Sequence, residues 1–331
     1  MKQIPALLLS ACLALSACAC AGKTPPPEPV QSAPAASAAQ PSGQEGEAAY
    51  PYTFTDSLGN EITLSQPPAR VAALLGSYAE SWVLAGGEEG LAAVTDDAFE
   101  ERRLELSGDT VNLGSSKQPD LEALFAVQPE LVLLTPDLEG QLALAESLEA
   151  AGIPAAWFKV ETFPEYLNML QILTDITGRR DLYRENGLEV QARVDAALER
   201  APEQGPAVLL LRAYSTGVRA KNSDNTAGAM LRDLGCQNIA DSDSGLLEEL
   251  QMESILAADP QYIFVTTMGA STEKALQSLE ELFDSDPAWQ SLTAVREDRV
   301  HILDKELFHY KPNARWGESY EVLADILYPL S

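Results

Sequence analysis

A segment of sixteen residues occurs twice in this chain. Residues 119–134 read PDLEALFAVQPELVLL, and residues 250–265 read LQMESILAADPQYIFV. Glu122 aligns with Glu253 and Pro129 aligns with Pro260, at the same offset of 131 residues (253 − 122 and 260 − 129) and without a gap. A repeated unit of this kind predicts two lobes of similar structure. Two facing lobes form a cleft, and a cleft is where a ligand usually binds.

Each copy predicts a helix followed by a turn and a strand. Apolar residues at positions i, i+3 and i+4 predict one buried helix face, made of Leu121, Leu124 and Phe125 in the first copy and of Met252, Ile255 and Leu256 in the second. Glu122 and Glu253 lie off that face and should be exposed. A carboxylate in the first turn of a helix also stabilises that helix by about 0.3–1 kcal/mol, through its interaction with the helix dipole. Either glutamate alone could have only this structural role, so the functional interpretation of the pair rests on the duplication.

The N-terminus predicts a secreted, lipid-anchored protein. Lys2 precedes an apolar run at 4–15 that is too short to span a membrane, which is typical of a signal peptide. The sequence LSAC ending at Cys18 resembles the lipobox of bacterial lipoproteins, so residues 1–18 are interpreted as signal peptide and lipobox, with Cys18 acylated. Cys12 ends the same four letters after too short an apolar run, and Cys20 is a weaker alternative. The expected location is extracytoplasmic, at the outer face of the cytoplasmic membrane or in the periplasm.

Residues 19–49 are predicted to be a disordered tether, because Pro, Ala, Ser, Gln and Gly dominate and cannot form a core. A coil of this length spans roughly 30 Å, and about 100 Å when extended.

Cys20 and Cys236 do not suggest a disulfide framework. With 50 acidic against 22 basic residues the net charge is −28, which argues against a nucleic-acid partner and against flat contact with anionic lipid.

The remaining chain alternates between strand and helix patterns, which predicts an α/β fold of two Rossmann-like lobes with parallel-type sheets. The N-terminal lobe is expected at 50–161, beginning with a hairpin at 52–64, and the C-terminal lobe at 203–331. A capping box at Thr162 and Glu165 predicts the start of a long helix at 162–202 that joins the lobes, about 55 Å long, which Gly178 and Gly187 could kink or divide.

Several segments in this order resemble the substrate-binding lipoproteins of ABC importers for iron complexes and cobalamin, the class III periplasmic binding proteins. The resemblance covers the chain after the tether. It rests on residues 54–64, the sequence PARV at 68–71, the two copies of the repeat with Glu122 and Glu253, the helical segment 162–202 and the sequence KPNARW at 311–316. It implies a monomer with a rigid interlobe helix that permits only small hinge motion. It also implies that one glutamate of each lobe, here Glu122 and Glu253, docks onto arginines of an ABC permease dimer that works with ATPase subunits.

Sequence motifs do not favour an enzyme. The chain contains no G-x-S-x-G, G-x-x-x-x-G-K-[ST], G-x-G-x-x-G, H-E-x-x-H or C-x-x-C. A bare zinc ion would need about four ligands, and with only His301 and His309 a histidine-rich site cannot be assembled, so no directly bound metal is expected. His301 lies in a strand pattern and is interpreted as structural, whereas His309 is either a ligand contact or an ordinary loop residue.

The ligand should lie outside the carboxyl ends of the strands. Candidate contacts there are Ser77, Tyr78, Lys117, Lys159, Arg212, Tyr214, His309, Tyr310, Lys311, Arg315 and Trp316. Their cations and rings predict a cationic, aromatic-rimmed cleft for an anionic metal chelate, although Trp316 also suits a core position. A ferric siderophore is the first expectation. Cobalamin or haem is the alternative, with Tyr78, Tyr214 or His309 available as an axial haem ligand, and an envelope enzyme or a sensor is the alternative from another class.

Overall fold

The computed structural model describes residues 49–269 and 271–330. The signal peptide, the acylated Cys18 and residues 19–48 of the tether lie outside these residues and remain predictions.

An antiparallel hairpin opens the N-terminal lobe, as the sequence predicts. Strands β1 (Tyr52–Thr55) and β2 (Glu61–Leu64) pair with Tyr52 opposite Leu64, and they bury Phe54, Ile62 and Leu64. The Asp56 carboxylate accepts hydrogen bonds from the backbone N–H groups of Leu58 and Asn60, both at 2.9 Å, and of Trp157 at 3.2 Å. This buried carboxylate therefore closes the turn and also attaches the hairpin to the main sheet of the lobe.

Five parallel strands form the sheet of the N-terminal lobe. The strands are β3 (Val71–Ala73), β4 (Leu91–Val94), β5 (Val111–Asn112), β6 (Leu131–Leu134) and β7 (Ala155–Trp157), in the spatial order β5-β4-β3-β6-β7. The helices are α1 (Gly76–Leu84), α2 (Asp97–Glu100), α3 (Leu121–Ala126), α4 (Glu139–Leu142) and α5 (Ala145–Ala150). This order reverses direction between β3 and β6, which is the Rossmann-type switch point.

The segment between the lobes is helical but is not one helix, which corrects the prediction of a single long helix at 162–202. Helix α6 (Phe163–Thr177) begins at the predicted capping box and ends at Gly178, whose φ of +76° breaks the helical path. Helix α7 (Arg180–Tyr183), a short π-helical segment (Arg184–Leu188, called the π-turn below) and α8 (Glu189–Leu198) then follow without interruption.

These two helical stretches run beside each other. The Tyr166 hydroxyl donates to the Asn186 carbonyl at 2.9 Å, so the start of α6 lies next to the π-turn. At Gly187 a Cβ atom would lie only 3.2–3.3 Å from Leu167 and Leu170 of α6, so the missing side chain allows this close approach. The connection is therefore a helical hairpin, and its second stretch, residues 180–198, is about 28 Å long rather than about 55 Å.

The C-terminal lobe repeats the plan with one departure. Its strands are β8 (Ala207–Tyr214), β9 (Gly217–Lys221), β10 (Gln237–Asn238), β11 (Tyr262–Thr267) and β12 (Val300–Ile302). Its helices are α9 (Thr226–Asp233), α10 (Ile239–Ser242), α11 (Gly245–Glu248), α12 (Met252–Ala258), α13 (Thr272–Ser285), α14 (Thr293–Arg296), α15 (Lys305–Phe308) and α16 (Trp316–Leu327). The order β10-β8-β11-β12 is parallel, and β9 pairs antiparallel with the second half of β8.

The duplicated unit recurs in the backbone. Helix α3 leads into β6, which lies between β3 and β7, and α12 leads into β11, which lies between β8 and β12. Gln128 and Asp259 occupy equivalent positions before the two prolines, and both have positive φ, +48° and +39°. The repeat therefore extends to a backbone conformation that is uncommon outside glycine. Of the residues predicted to be buried, Leu124 and Ile255 are buried and Leu256 is exposed, and the others, Leu121, Phe125 and Met252, are half-buried.

A continuous apolar core runs from the N-terminal lobe through α6 and α8 to α16. At its centre the fully buried Trp316 ring lies 6.0 Å from Phe163 and 6.3 Å from Tyr320, measured between ring centroids. Trp316 is therefore a core residue and not a cleft residue, which corrects its inclusion among the ligand contacts. Its Nε1 is buried and has no hydrogen-bond partner among the described residues.

Trp316 should contribute to stability through its volume and not through its N–H group. We expect Trp316→Ala to lower the free energy of unfolding by about 3–5 kcal/mol, because it leaves a large cavity. Trp316→Phe should change it by about 1 kcal/mol or less, because it keeps an aromatic ring and removes an unpaired buried donor. Urea unfolding of the three proteins measures both values. Equal losses for the two variants would contradict this account.

Candidate ligand cleft and interlobe contacts

The switch points of the two sheets identify where the lobes can present a ligand site. In the N-terminal lobe the chain leaves β3 into α1 and leaves β6 into the loop before α4. In the C-terminal lobe it leaves β8 into the turn before β9 and leaves β11 into the loop before α13. Ligands of open α/β sheets bind outside these carboxyl ends.

Asn313 makes the first polar contact between the lobes. It is buried, and its side-chain amide donates to the Ser77 carbonyl at 2.9 Å and to the Glu80 carboxylate at 2.6 Å. Arg102 binds the same carboxylate at 3.1 Å and donates to the Lys311 carbonyl at 2.8 Å. Glu80 of α1 and Arg102 of the loop after α2 thus hold the segment that precedes α16.

Glu161 makes the second contact. Its two carboxylate oxygens accept from the Lys311 Nζ at 2.5 Å and from the Thr226 hydroxyl at 2.9 Å, both in the C-terminal lobe. Lys311 was predicted to contact the ligand, but its ammonium is paired and mostly buried here. We therefore assign Lys311 to the interlobe contact.

Two cations near the cleft have no carboxylate partner among the described residues. The Arg212 guanidinium on β8 has only long contacts to neutral oxygens, 3.4 Å to Thr266 Oγ1 and 3.5 Å to Asn225 Oδ1. The Lys305 Nζ donates to the Gly269 carbonyl at 3.0 Å and lies 4.7 Å from the centre of the Tyr310 ring. Both charges are therefore available to an anion.

His309 lies close to these cations. Burial, and after it the charges of Arg212, Lys305 and Lys311, lower the pKa of His309 to about 3. Its Nδ1 is buried and has no hydrogen-bond partner in the described part of the chain. At neutral pH this side chain is therefore an uncharged imidazole with one unused polar atom.

A groove of about 560 Å³ opens between the lobes beside this cluster. The N-terminal lobe lines it with Glu100, Glu101 and Arg103, and the C-terminal lobe with Thr267, Thr272, Ile302, Leu303, Asp304, Lys305, Glu306 and Tyr310. Burial and the neighbouring Glu101 raise the pKa of Tyr310, so its hydroxyl stays protonated. The volume lies within the range of small-molecule sites.

Several predicted contacts do not reach this groove. Tyr78 is buried in the N-terminal lobe, where its hydroxyl donates to the Phe158 carbonyl at 2.5 Å, so it is neither a ligand contact nor an axial haem ligand. Ser77 is also buried. Arg315 binds Glu318 at 2.8 Å and Glu306 at 3.0 Å, so its charge is already compensated. The predicted cationic cleft is thus less cationic than the sequence suggests.

The other predicted contacts stay at the surface. Lys117 and Lys159 are exposed in the loops after β5 and β7, and Tyr214 is half-buried at the end of β8. Sequence reasoning missed Lys305, Glu100 and Glu101. Lys305 follows a predicted strand and could have been found from that position, whereas no signal distinguishes the two glutamates in so acidic a chain.

Glu122 and Glu253 are exposed in the first turns of α3 and α12. Neither forms an ion pair with a residue that the structure describes. Both side chains are therefore exposed, as the sequence predicts.

No group of three or more His, Cys, Asp or Glu side chains suited to a metal ion occurs among residues 49–269 and 271–330. Within these ranges no helix has the length and apolar character needed to cross a membrane. Cys236 is buried and unpaired, and burial raises its pKa to about 12.

Comparison with known proteins decides the family. The family model described as periplasmic binding protein matches residues 71–307, which is most of the chain. The chain belongs to this family. It is therefore an extracytoplasmic binding protein and not an enzyme, and the predicted two-lobed α/β fold is confirmed.

Relatives of this binding protein agree with that assignment. It is 24% identical to the Fe(3+) dicitrate-binding periplasmic protein FecB of Escherichia coli over 266 residues, 77% of this chain and 83% of FecB. It is 22% identical over 289 residues to YvrC of Bacillus subtilis, an uncharacterized ABC transporter substrate-binding lipoprotein, covering 85% of this chain and 86% of YvrC. The structure of the iron uptake substrate-binding protein PiuA of Streptococcus pneumoniae superposes with a TM-score of 0.66 at 18% identity, covering 86% of this chain and all of PiuA.

The buried neutral His309 should make the stability of this binding protein depend on pH. Because the folded pKa is about 3 and the unfolded value is about 6.5, only the unfolded state takes up this proton between those values, so stability falls as the pH drops below 6.5. We expect a loss of about 2 kcal/mol between pH 7.5 and pH 5 that His309→Gln removes. Urea unfolding at both pH values measures it.

His301→Gln is the matched control. The pKa of His301 is also lowered by burial, but this side chain is less buried, so its variant should remove a smaller part of the pH dependence. If His309→Gln kept the full wild-type dependence, the assignment of a buried neutral imidazole would be wrong.

Proposed function

We propose that this binding protein captures a ferric chelate, a siderophore in the first instance, in the interlobe cleft and delivers it to an ABC permease. The observation that carries the proposal is the pair of uncompensated cations, Arg212 and Lys305, beside a groove between the carboxyl ends of the two sheets. Most iron chelates present carboxylate, catecholate or hydroxamate oxygens, which such cations bind. The names of FecB and PiuA support iron as the transported metal.

A chelate suits this cleft better than a free ion does. A chelated metal arrives with its own ligands, so the protein needs to complement only the shape and charge of the complex. The groove of about 560 Å³ has room for a drug-sized molecule. Haem or cobalamin is the second candidate, with the His309 imidazole, which lies near the groove-lining Lys305, as the available axial ligand.

Ligand titrations of the purified protein test this proposal. Fluorescence quenching by ferric siderophores, ferric dicitrate, haem and cobalamins should identify one class that binds tightly. Arg212→Gln should weaken binding of an anionic chelate about 10- to 100-fold, because a hydrogen bond to a charged group is lost. Arg184→Gln, an exposed arginine on the π-turn, is the control and should bind as the wild type does. Binding of none of these ligands by a folded protein would exclude the proposal.

We further propose that Glu122 and Glu253 dock this binding protein onto the two subunits of a permease dimer that works with ATPase subunits. Their equivalent positions on two duplicated lobes, and their lack of ion-pair partners among the described residues, support this role. Docking through one exposed carboxylate of each lobe would let a pseudo-symmetric protein engage a symmetric dimer.

Charge reversal of this pair tests docking separately from ligand binding. Glu122→Lys with Glu253→Lys should leave the ligand dissociation constant unchanged and abolish uptake of the radiolabelled chelate by cells. The control pair is Glu146→Lys with Glu273→Lys, two exposed first-turn glutamates of α5 and α13 outside the repeat. A lost affinity, or normal uptake, would exclude a docking role.

We also propose that a lipid on Cys18 anchors the mature protein and that residues 19–49 tether its folded part. The lipobox supports this, as does the relative YvrC, which is named a lipoprotein. Cys18→Ala should release the protein from the membrane fraction and abolish its labelling by radioactive palmitate, whereas Cys20→Ala should change neither. Continued labelling of the Cys18 variant would move the anchor to another cysteine.

A further inference from the structure

The described chain enters the N-terminal lobe at a fixed point. The Tyr50 hydroxyl donates to the Ile176 carbonyl at 2.6 Å, and the Tyr52 hydroxyl donates to the Asp175 carboxylate at 3.4 Å. Asp175 and Ile176 belong to the last turn of α6. Phe54, on the same strand as Tyr52, is buried in the core that α6 also joins. The start of the hairpin is therefore held against the end of this helix.

The last turn of α6 lies at the amino ends of the strands. Helix α6 follows the carboxyl end of β7 and runs back along the sheet for fifteen residues, or about 22 Å. At its end, the Thr177 hydroxyl donates to the carbonyl of Ala85, the residue that ends α1 before the chain enters β4. The tether therefore joins the lobe at the end of the sheet that is remote from the cleft.

Glu122 lies at the other end of the same sheet and on its other face. The Asp120 backbone N–H donates to the Leu113 carbonyl just after β5, so α3 begins at the carboxyl ends of the strands. Through Leu124, α3 packs against the face of the sheet that carries Val132, whereas α6 packs against the opposite face. Glu122 and the start of the described chain are therefore separated both along the strands and across the sheet.

Glu253 has the equivalent position in the C-terminal lobe. Helix α12 packs through Ile255 against the face of the sheet that carries Ile263 and Val265, whereas Phe264 of the same strand belongs to the core shared with α6 and α8. Both glutamates thus lie on the faces of the two sheets that point away from the shared core. The tether joins the protein on the side of that core.

From this placement we propose that the length of the tether limits delivery of the ligand. When the two glutamates dock onto the permease, the tether leaves from the far side of the protein and has to pass the N-terminal lobe to reach the membrane. A linker that cannot span its two attachment points gives an effective concentration near zero. Residues 19–49 reach about 100 Å when extended, which is enough to pass the lobe. This inference rests on the proposed docking and lipid anchor, and it adds a length requirement that neither contains.

Energy transfer to a labelled membrane tests this geometry without a ligand or a permease. The shortened protein lacks residues 24–47, so that only 19–23, 48 and 49 of the tether remain, and these extend to about 25 Å. The lipid-anchored protein is reconstituted into phosphatidylcholine vesicles that contain a rhodamine-labelled lipid. A donor dye is attached to Arg179→Cys, just after α6, or to Glu122→Cys, both of them exposed positions.

We expect the dye at position 179 of the shortened protein to transfer its energy more efficiently than the dye at position 122, because a short tether keeps its own attachment point near the membrane. With the full-length tether the difference should be smaller. Cys20→Ala removes a competing thiol in each protein, and Cys236 is buried. Equal or more efficient transfer from position 122 of the shortened protein would overturn the proposal.

Uptake by cells tests the consequence for delivery. The shortened protein should bind the radiolabelled chelate identified by the titrations with an unchanged dissociation constant, but its uptake should fall about tenfold or more, because anchoring and docking can no longer occur together. A protein in which a Gly/Ser sequence of equal length replaces residues 24–47 is the control and should support normal uptake, since such a coil has a similar reach.

The outcomes separate this inference from the proposed function. Normal uptake with the shortened tether, or reduced uptake with the Gly/Ser tether, would show that length does not limit delivery and would overturn the inference. Failure of the proposed function has a different signature, since the protein with its full-length tether would then bind no ferric chelate, haem or cobalamin.

Discussion

The buried amide of Asn313 fixes how the two lobes meet. It has the left-handed backbone conformation, with φ of +52°, and its side chain donates to a carbonyl and to a carboxylate of the other lobe. Buried polar groups must keep their partners, because an unsatisfied group costs about 1–3 kcal/mol. The groove and the arrangement of its charges both depend on this contact, since Glu80 and Arg102 join it to the segment that carries Lys311 and Tyr310.

Ion pairs within the protein determine which charges a ligand can meet. Lys311 and Arg315 looked as suitable as Arg212 in the sequence, but Glu161 and Glu318 compensate them. Arg212 and Lys305 remain without a carboxylate partner among the described residues. The charges that a ligand meets therefore depend on which side chains the fold pairs with one another, and not on how many cations the sequence supplies.

The alternation of strands and helices, the hairpin and the duplicated unit could be predicted because they follow from local patterns of apolar residues and prolines. The predicted strands at 131–134 and 262–265 lie within β6 and β11, and the capping box at Thr162 begins α6. Pairings between distant residues could not be predicted. Tyr78 and Trp316 were assigned to the cleft because aromatic residues suit a rim and a core equally well, and only the packing of α1 and α16 decides between them. The reversal at Gly178 was allowed for but not predicted, since a glycine in a helical pattern has several outcomes.

The helical hairpin between the lobes has a mechanical consequence. Its first helix is packed into the core of the N-terminal lobe, and α8 is clamped to α16 through Arg193 with Glu321 and Arg200 with Asp325. Between α6 and α7 only Gly178 and Arg179 are non-helical, so the hairpin itself leaves little free chain to act as a pivot. Any relative movement must therefore occur by helices sliding over one another within a packed interface, which limits its amplitude to the small displacements of shear. With such a joint the lobes do not open widely. Ligand exchange is then expected to depend on movement of side chains at the rim of the cleft.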